Sequence, residues 1–302
     1  MPKIIFSRKG FDSTYGGVAS PIFEDQRMIS LPIPSNQKLD SLKIRDIAFT
    51  YEGDSLGKIV GDLTKKRRQQ ISNQNHIHLD PDIRKESRDR LKGWLPAFGQ
   101  IGTAQSHLAN QGVSEGDLFL FFGWFRKAEK WRTDWRFVPG ACDIHMIFGW
   151  LEIGEILRIG SNTEKFRRQY PWLCEHPHLS GTRNLNNTVY LASEWLSPHF
   201  SDDQSRAGGS DFPDFSESRV LTSPSAKGRS TWQLPGWFMP EKGRPALTYH
   251  SSSDRWKKNE PGVMLQSAAI GQEFVLDCDF YPEAFSWVKG LFATDPASAK
   301  RP

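Results

Sequence analysis

The sequence predicts an α+β protein in which a mixed β-sheet is surrounded by peripheral helices. Three observations support this class. Residues 117–122 are almost entirely apolar, which indicates a strand that is covered on both faces. A second apolar run at 145–156 suits a neighbouring strand. Segments rich in helix formers, such as 103–111, alternate with the apolar runs, so strands and helices are mixed along the chain.

The remaining elements follow the same two patterns. Predicted strands, each an apolar run closed by glycine, proline or polar residues, are at 3–6, 27–34, 117–122, 145–156, 188–192 and 272–277. Predicted helices, each rich in helix formers, are at 83–94, 103–111, 161–173 and 282–291. The stretch 126–139 reads as a polar loop or hairpin, and 40–72 as polar and weakly helical. We expect one globular domain over 1–302, with an irregular loop at 197–218 and a frayed tail at 293–302.

Composition sets bounds on the partner and the compartment. Lys and Arg number 39 against 35 Asp and Glu, which gives a net charge of +4 in 302 residues. This balance excludes a histone-like polycation but allows a local basic face. The three cysteines form no CxxC pair and indicate no disulfide framework, which is typical of a reducing cytoplasm. The first residues contain no signal-peptide core and no run of 18 apolar residues occurs, so we expect a soluble cytoplasmic protein without a membrane span.

The first candidate site is the polar segment that follows the opening strand. It carries Ser7, Arg8, Lys9 and Asp12 around a glycine. Arginine offers a bidentate fork and lysine a point charge, so the segment suits a phosphate or a sugar-phosphate. It has neither P-loop spacing nor a dinucleotide fingerprint. The alternative is a solvated turn with a local Arg–Asp pair.

The second candidate site is the run His-Ile-His-Leu-Asp-Pro-Asp at 76–82. In an extended chain His76, His78 and Asp80 point to one side, as metal ligands must. The predicted metal ligands are His78, Asp80 and Asp82, and this donor set suits iron, manganese or zinc. The alternative is that Asp82 caps a following helix and the histidines are exposed.

Two further groups could recognise a base. Gln100, Gln105 and His107 carry amide and imidazole groups that can read a base edge, although capping and surface polarity also explain them. Trp124 follows the strand at 117–122. His145 begins the strand at 145–156, and Trp150 lies in the middle of that strand. These could wall a cleft for a flipped or single-stranded base, and ordinary core packing is the alternative.

A basic run at 65–68 remains. It suits a phosphate-backbone contact or a solvated helix face.

Several of these motifs together resemble a known family. The strings FSRKGFDSTYGGVASPI, SLPIP, HLDPD, GQIGTAQSHL, GVSEGDLFLFFGWF and HMIFGWLEIGEI are similar to the third nucleotide-modification-associated domain family, over roughly residues 3–290. That family occurs in phages and bacteria, in gene neighbourhoods that handle modified DNA bases. The resemblance implies motif positions at Ser7, Arg8, Lys9, Asp12, His78, Asp80, Asp82, Gln105, His107, Asp117, Trp124 and His145.

A second similarity is confined to residues 112–158. Their pattern of a Gly-Asp turn, a buried strand, an excursion and a return strand is similar to PUA, ASCH and EVE barrels. Those barrels recognise modified or unusual bases. This similarity implies a PUA-like barrel embedded in the larger sheet, although a fold does not determine a function.

Together these features predict an enzyme of nucleic-acid base modification, whose reaction type the sequence does not indicate. In this hypothesis Arg8 and Lys9 hold a phosphate, and Asp12 or Asp80 acts as acid or base. His78 or His145 assists, while Gln105 and His107 contact the substrate.

Two alternatives remain. One is a non-catalytic reader that stacks bases on Trp124 or Trp150. The other is a nuclease that uses a divalent metal at 78–82 and selects modified DNA. The expected partner is a nucleic acid or a nucleotide, with DNA favoured by the resemblance. A divalent metal is the one cofactor that the sequence indicates. The sequence does not indicate an oligomeric state.

Overall fold

The computed structural model of the protein describes residues 1–35, 40–67, 69–180, 185–269 and 273–293. The strands are β1 (Lys3–Arg8), β2 (Ser20–Ile22), β3 (Ile33–Pro34), β4 (Thr50–Tyr51), β5 (Asp54–Ser55), β6 (Ile77–His78), β7 (Ala97–Ile101), β8 (Leu118–Trp131), β9 (Asp134–Phe137), β10 (Ile144–Arg158), β11 (Asn187–Ala192), β12 (Gly209–Asp211), β13 (Thr231–Pro235), β14 (Trp256–Asn259), β15 (Gly262–Gln266) and β16 (Glu273–Asp277). The helices are α1 (Leu56–Thr64), α2 (Gly102–Asn110), α3 (Thr163–Gln169) and α4 (Glu283–Ala293).

A nine-stranded sheet organises the protein. Six strands follow one another in the order β16–β1–β8–β10–β11–β7, while β2 and β9 also pair with β8 and β12 with β10. β1 and β2 run parallel to β8, and the other pairs in this sheet are antiparallel. The predicted α+β class with a mixed sheet is therefore confirmed.

Both faces of the sheet bury aromatic rings. On one face, Phe6 of β1 lies 6.0 Å from Trp232 of β13 and 5.8 Å from Trp287 of α4, between ring centroids. On the other face, Phe98 of β7 lies 4.9 Å from Phe119 of β8. Burial on both sides explains why β8 has no polar alternation at its start.

The sheet curves until its two edge strands touch through side chains. Gln100 of β7 donates to Glu273 of β16 at 2.6 Å, although these strands are at opposite ends of the six-strand order. In the described ranges the backbones of β7 and β16 are not paired, so the sheet is open. The expectation of a closed PUA-like barrel at 112–158 is thus not confirmed, because that segment supplies the two central strands of a wider sheet.

Gly149 allows a close approach of two strands within the sheet. At Gly149 the register of β10 shifts, and a Cβ there would lie 2.9 Å from the carbonyl oxygen of Ser210 in β12. A side chain would therefore push β12 off the sheet. β12 lies within the stretch 197–218 that the sequence predicts to be irregular, and a short 3-10 turn, Glu217–Arg219, begins there and ends one residue beyond it.

Most predicted elements are present, with one exception among the helices. α2, α3 and α4 occupy the predicted segments, and β8 and β9 form the hairpin expected at 126–139. The helix predicted at 83–94 is wrong, because the structure has only a 3-10 turn there, Lys85–Ser87. Residues 294–302 of the predicted tail lie outside the described residues.

None of the helices in the described part of the chain is both long and apolar enough to cross a membrane.

Candidate active site around Asp80

Three imidazole rings from two distant parts of the chain converge on one carboxylate. His78 ends β6 and Asp80 follows two residues later. A 3-10 turn, Pro177–Leu179, carries His178, and His176 immediately precedes the turn. The turn packs against β7 and β11, which places both histidines beside Asp80.

The two oxygens of Asp80 have different neighbours. Oδ1 accepts the backbone N–H of Gly99 at 2.8 Å and lies 3.5 Å from Nε2 of His176. Oδ2 lies 3.5 Å from Nε2 of His178 and 4.0 Å from Nε2 of His78. The side chain of His78 is 34% exposed, whereas that of Asp80 is 5% exposed. Solvent therefore reaches the cluster from the side of His78.

A second layer of oxygens holds the rings of His78 and His178. Oδ1 of Asp40 lies 3.5 Å from Nδ1 of His78. Oδ1 of Asn187 lies 2.7 Å from Nδ1 of His178, and Nδ2 of the same amide donates to the carbonyl oxygen of His178 at 2.8 Å. Both rings are thus held at Nδ1 and present Nε2 to Asp80.

Gly99 leaves the space in which His178 packs. A Cβ at this position in β7 would lie 2.2 Å from Cδ2 of the His178 ring. The same residue donates its N–H to Asp80, so the backbone of β7 positions both the carboxylate and one imidazole.

Asp80 is ionised despite its burial. Burial by itself raises the pKa of Asp80, but the facing imidazoles of His176 and His178 outweigh it and hold that pKa well below its usual range. The pKa of Asp40 is lowered in the same way, with burial opposed chiefly by His78 and Ser35. A buried carboxylate that stays ionised can accept a proton or bind a cation.

A cavity of about 60 Å³ adjoins Asp80 and is lined mainly by apolar side chains, including those of Met28, Leu31 and Phe148. Ligand pockets typically enclose roughly 300–1,000 Å³, so this cavity does not accommodate a nucleotide.

The structure does not bring Asp82, the third predicted metal ligand, into this cluster. Its carboxylate forms two short contacts with Arg90, at 2.6 and 2.7 Å, and lies 3.7 Å from Arg88. Among the described residues, the group of close metal-binding atoms comprises His78, Asp80 and His178.

The two cations predicted to bind phosphate have partners within the protein. Arg8 donates to the carbonyl oxygens of Ala268 and Ala269, at 2.6 and 3.2 Å. Lys9 forms a buried ion pair with Glu273 at 3.0 Å, and its side chain is 7% exposed. A phosphate would have to displace these contacts to reach either cation.

Asp12 and Ser7 are also positioned as structural residues. Oδ1 of Asp12 accepts the backbone N–H groups of Thr14 and Tyr15, which closes a turn. Ser7 is completely buried in β1. Neither residue lies in the cluster around Asp80, and their predicted roles remain predictions.

Gln105 and His107 lie on α2, near the edge where β7 and β16 meet. Oε1 of Gln105 accepts the hydroxyl of Tyr190 at 2.9 Å. Nε2 of His107 lies 3.2 Å from the hydroxyl of Thr248, and its ring packs 4.6 Å from that of Tyr249, between centroids. These contacts connect α2 to its neighbours. Gln105 is buried, so surface polarity does not describe it, and the substrate contacts predicted for both residues remain predictions.

His145 is buried in the sheet. Its Nδ1 accepts the indole N–H of Trp232 at 3.1 Å. Burial, with smaller contributions from Arg8 and Arg229, lowers the pKa of His145 to about 3. The ring is therefore neutral at physiological pH and does not contact the Asp80 cluster.

The two tryptophans proposed as stacking surfaces are both covered. The guanidinium of Arg229 lies 4.1 Å above the ring centroid of Trp124. Trp150 is 3% exposed, packs 4.7 Å from Phe212 between centroids, and donates its indole N–H to the carbonyl oxygen of Ala207 at 3.0 Å. A base would have to displace Arg229 to stack on Trp124.

The basic run at 65–68 begins directly after α1. Residues 65–67 are exposed, and Lys65 lies 3.0 Å from Asp134. Arg68 lies outside the described residues. Exposure fits both the solvated face and the phosphate contact.

Sequence reasoning missed His176, His178, Asp40 and Asn187. One signal was available, because the His-x-His pattern at 76–78 recurs at 176–178. The sequence does not show that the two patterns meet, because their contact depends on the pairing of strands that are far apart in the chain.

Comparison with known proteins gives one match. A family model described as nucleotide modification associated domain 3 matches residues 3–277. Neither the curated proteins nor the solved structures contained a match.

Proposed function

Because the chain belongs to the nucleotide modification associated domain 3 family, we propose that it is an enzyme that modifies a nucleotide or a base of a nucleic acid. The active site in this proposal is the cluster around Asp80, and a DNA base is the substrate to test first. Family membership supports a role in nucleotide modification, and the local chemistry around Asp80 supports catalysis.

The observation that carries the proposal is the state of Asp80. A carboxylate that is 5% exposed has three imidazole nitrogens within 4.0 Å, and two of these rings, His176 and His178, hold its pKa low. Ionisable groups of perturbed pKa that face one another are typical of catalytic sites. Ion pairs such as Asp82–Arg90, by contrast, satisfy each other and leave no donor or acceptor for a substrate.

The residues of the cluster have different proposed roles. Asp80 supplies the fixed negative charge, and His78, the most exposed member, contacts the substrate. His176 and His178 orient the carboxylate from the buried side. Arg8, Lys9, Asp12 and His145, which the sequence favoured, have no part in this version of the mechanism, because each has a structural partner.

Nucleoside mass spectrometry tests the proposal. The purified full chain is incubated with plain DNA and with hydroxymethylated DNA, with and without divalent metal and small-molecule donors. We expect a new or missing nucleoside mass with the native chain and none with Asp80→Asn. Asparagine retains the oxygen that accepts from Gly99 but removes the charge, so the Asp80→Asn chain should still fold. His199→Ala, an exposed histidine outside the cluster, is the matched control and should retain activity.

Three results would contradict the proposal. Unchanged nucleosides with tighter binding to the modified DNA would favour the reader of modified bases. Shortened strands with unchanged nucleosides would identify a nuclease. Full activity in a folded Asp80→Asn chain would place the active site elsewhere.

A further inference from the structure

We infer that His78, Asp80 and His178 bind a divalent ion of a first-row transition metal through two imidazole nitrogens and one carboxylate oxygen. Their ligand atoms all lie within 4.8 Å of one another. The site shares its residues with the proposed active site and rests on that proposal only for its role in catalysis. Metal binding itself can be measured without turnover.

The hydrogen bonds of His178 determine which of its nitrogens can bind a cation. The amide of Asn187 donates through Nδ2 to the carbonyl of His178, so its Oδ1 must face Nδ1 of the ring. An oxygen accepts only from a protonated nitrogen, so Nδ1 carries a proton and Nε2 is the ring nitrogen left to bind a cation. This Nε2 faces Oδ2 of Asp80 at 3.5 Å. A cation between the two atoms, either a proton or a metal ion, holds them together.

His78 repeats this arrangement. Its Nδ1 faces the carboxylate of Asp40 at 3.5 Å, which favours a proton on Nδ1 and leaves Nε2 as the nitrogen that can bind a cation. Nε2 faces the same oxygen, Oδ2 of Asp80, at 4.0 Å. Oxygen acceptors behind metal-binding histidines fix the ring and its tautomer in known metal sites.

His176 belongs to the site as an orienting residue, with no role as a ligand. The backbone N–H of His178 donates to Nδ1 of His176 at 3.3 Å, so the proton of the neutral ring is on Nε2. That nitrogen lies 3.5 Å from Oδ1 of Asp80, which also accepts from Gly99. Oδ1 thus faces two donors, while Oδ2 faces the Nε2 atoms of His178 and His78.

The distances fit shared coordination better than direct hydrogen bonds. A charge-assisted N–H···O bond is about 2.7–2.9 Å long. Two ligand atoms that each lie about 2.1 Å from one ion, at angles of 90–120°, are roughly 3.0–3.6 Å apart. The 3.5 Å separation between His178 and Asp80 falls in this range, and the partly exposed His78 lies just beyond it, at 4.0 Å from the same oxygen.

The donor set selects the class of metal. Imidazole nitrogens suit zinc, iron, cobalt and other first-row transition metals, whereas magnesium and calcium prefer oxygen ligands. Three protein ligands leave coordination positions for water or a substrate, as in catalytic metal sites, while structural zinc sites use four. The exposed side of His78 gives those positions access to solvent.

Metal binding by the full chain tests the inference. The chain is stripped with a chelator and titrated with Co²⁺, Mn²⁺ or Zn²⁺, with Mg²⁺ as the comparison ion. Bound metal is measured by equilibrium dialysis, and the visible absorption of Co²⁺ reports imidazole ligands. We expect one equivalent per native chain and weak binding of Mg²⁺. Loss of a second-layer partner weakens a metal site on the order of 10–100-fold, so His78→Ala and Asp80→Asn should lose at least as much.

His199→Ala should bind metal like the native chain, since it removes an exposed imidazole outside the site. His78→Ala is the decisive variant, because its side chain is partly exposed and its loss should not prevent folding. The inference fails if the native chain binds no transition metal, or if folded His78→Ala and Asp80→Asn bind it with native affinity. Metal binding without any change of nucleosides would retain the inference and reject the proposed function. Nucleoside changes by a chain that binds no transition metal would reject the inference and retain the proposed function.

Discussion

At Gly99 the ring of His178 packs directly on the backbone of β7, at a distance that no side chain allows. A Cβ would lie 2.2 Å from the ring, and the residue's N–H also holds Asp80. One small residue therefore fixes the relative positions of a proposed metal ligand and its carboxylate partner.

We expect Gly99→Ala to abolish the nucleoside change and to weaken Co²⁺ binding at least tenfold, because the ring of His178 must move away from Asp80. Gly228→Ala is the control, since a Cβ there meets no atom within 4 Å. The thermal unfolding midpoint of both variants separates displacement of the ring from loss of the fold. Native metal affinity in Gly99→Ala would show that His178 is not a ligand.

At the scale of single residues the sequence predicted half of the site. The alternation of His78 and Asp80 on one side of an extended chain was a local pattern, and the structure keeps it. His178 and Asn187 could not be predicted, because their contact with Asp80 depends on strand pairings that connect residues about 100 positions apart in the chain. The sequence also does not show which side chains are buried. Lys9 was therefore predicted to bind a phosphate, although it forms a buried ion pair.

Among the elements, the meeting of β7 with β16 depends on a few polar side chains. Glu273 of β16 accepts from Gln100 of β7 and pairs with Lys9, which follows β1. Lys9 also lies 4.5 Å above the ring of Phe98. The contacts of the buried Lys9–Glu273 pair therefore connect β1, β16 and β7. A closed barrel would need backbone hydrogen bonds between β7 and β16 at this place.

Each single substitution in this pair should destabilise the protein. Lys9→Met leaves a buried carboxylate without its cation, and Glu273→Gln leaves a buried ammonium without its anion. Either loss costs about 3–5 kcal/mol of unfolding free energy. The double variant should lose less than the sum of the two, because no unpaired charge remains. Urea unfolding of the four chains measures this, and strict additivity would show that the pair does not stabilise the contact.

The elements themselves were predictable wherever local pattern and packing agree. The apolar run of β8 and the helix α2 are present where the sequence placed them. The segment 83–94 has helix-forming residues but is held extended at its start, since Asp82 exchanges two backbone hydrogen bonds with Ala97. Its Arg90 then turns back to the carboxylate of Asp82. Tertiary contacts here outweigh a helix propensity of a few tenths of a kcal/mol per residue.

For the whole molecule, buried neutral histidines make stability depend on pH. His145 accepts from Trp232, and His250 donates from Nδ1 to the carbonyl of Thr248 and accepts at Nε2 from the N–H of Ala268. Burial lowers the pKa of His145 to about 3 and that of His250 to about 4. In the unfolded chain a histidine has a pKa of about 6.5. Between these values unfolding takes up protons, so stability falls as the pH falls.

We expect the unfolding free energy to decrease from pH 7 to pH 4, with a slope of about 1.4 kcal/mol per pH unit for each proton taken up. His145→Asn keeps an acceptor for Trp232 but cannot titrate, so its slope should be smaller by one proton. Urea unfolding at pH 7, 6, 5 and 4 measures both slopes, and exposed His199→Asn should match the native chain. Equal slopes in the native chain and His145→Asn would show that folding does not lower the pKa of His145.

The pairing of β1 also sets an order of events during synthesis. Ile4 lies beside Leu118 of β8, and Lys3 lies beside Asp277 of β16. The edge of β1 that pairs with β8 therefore has no partner until more than 110 further residues have left the ribosome. The edge that pairs with β16 has none until more than 270 have done so. Until then its apolar residues present an unpaired strand, which is a template for aggregation. Chains that end before residue 273 would keep that edge permanently, so recombinant fragments should be designed to retain β16.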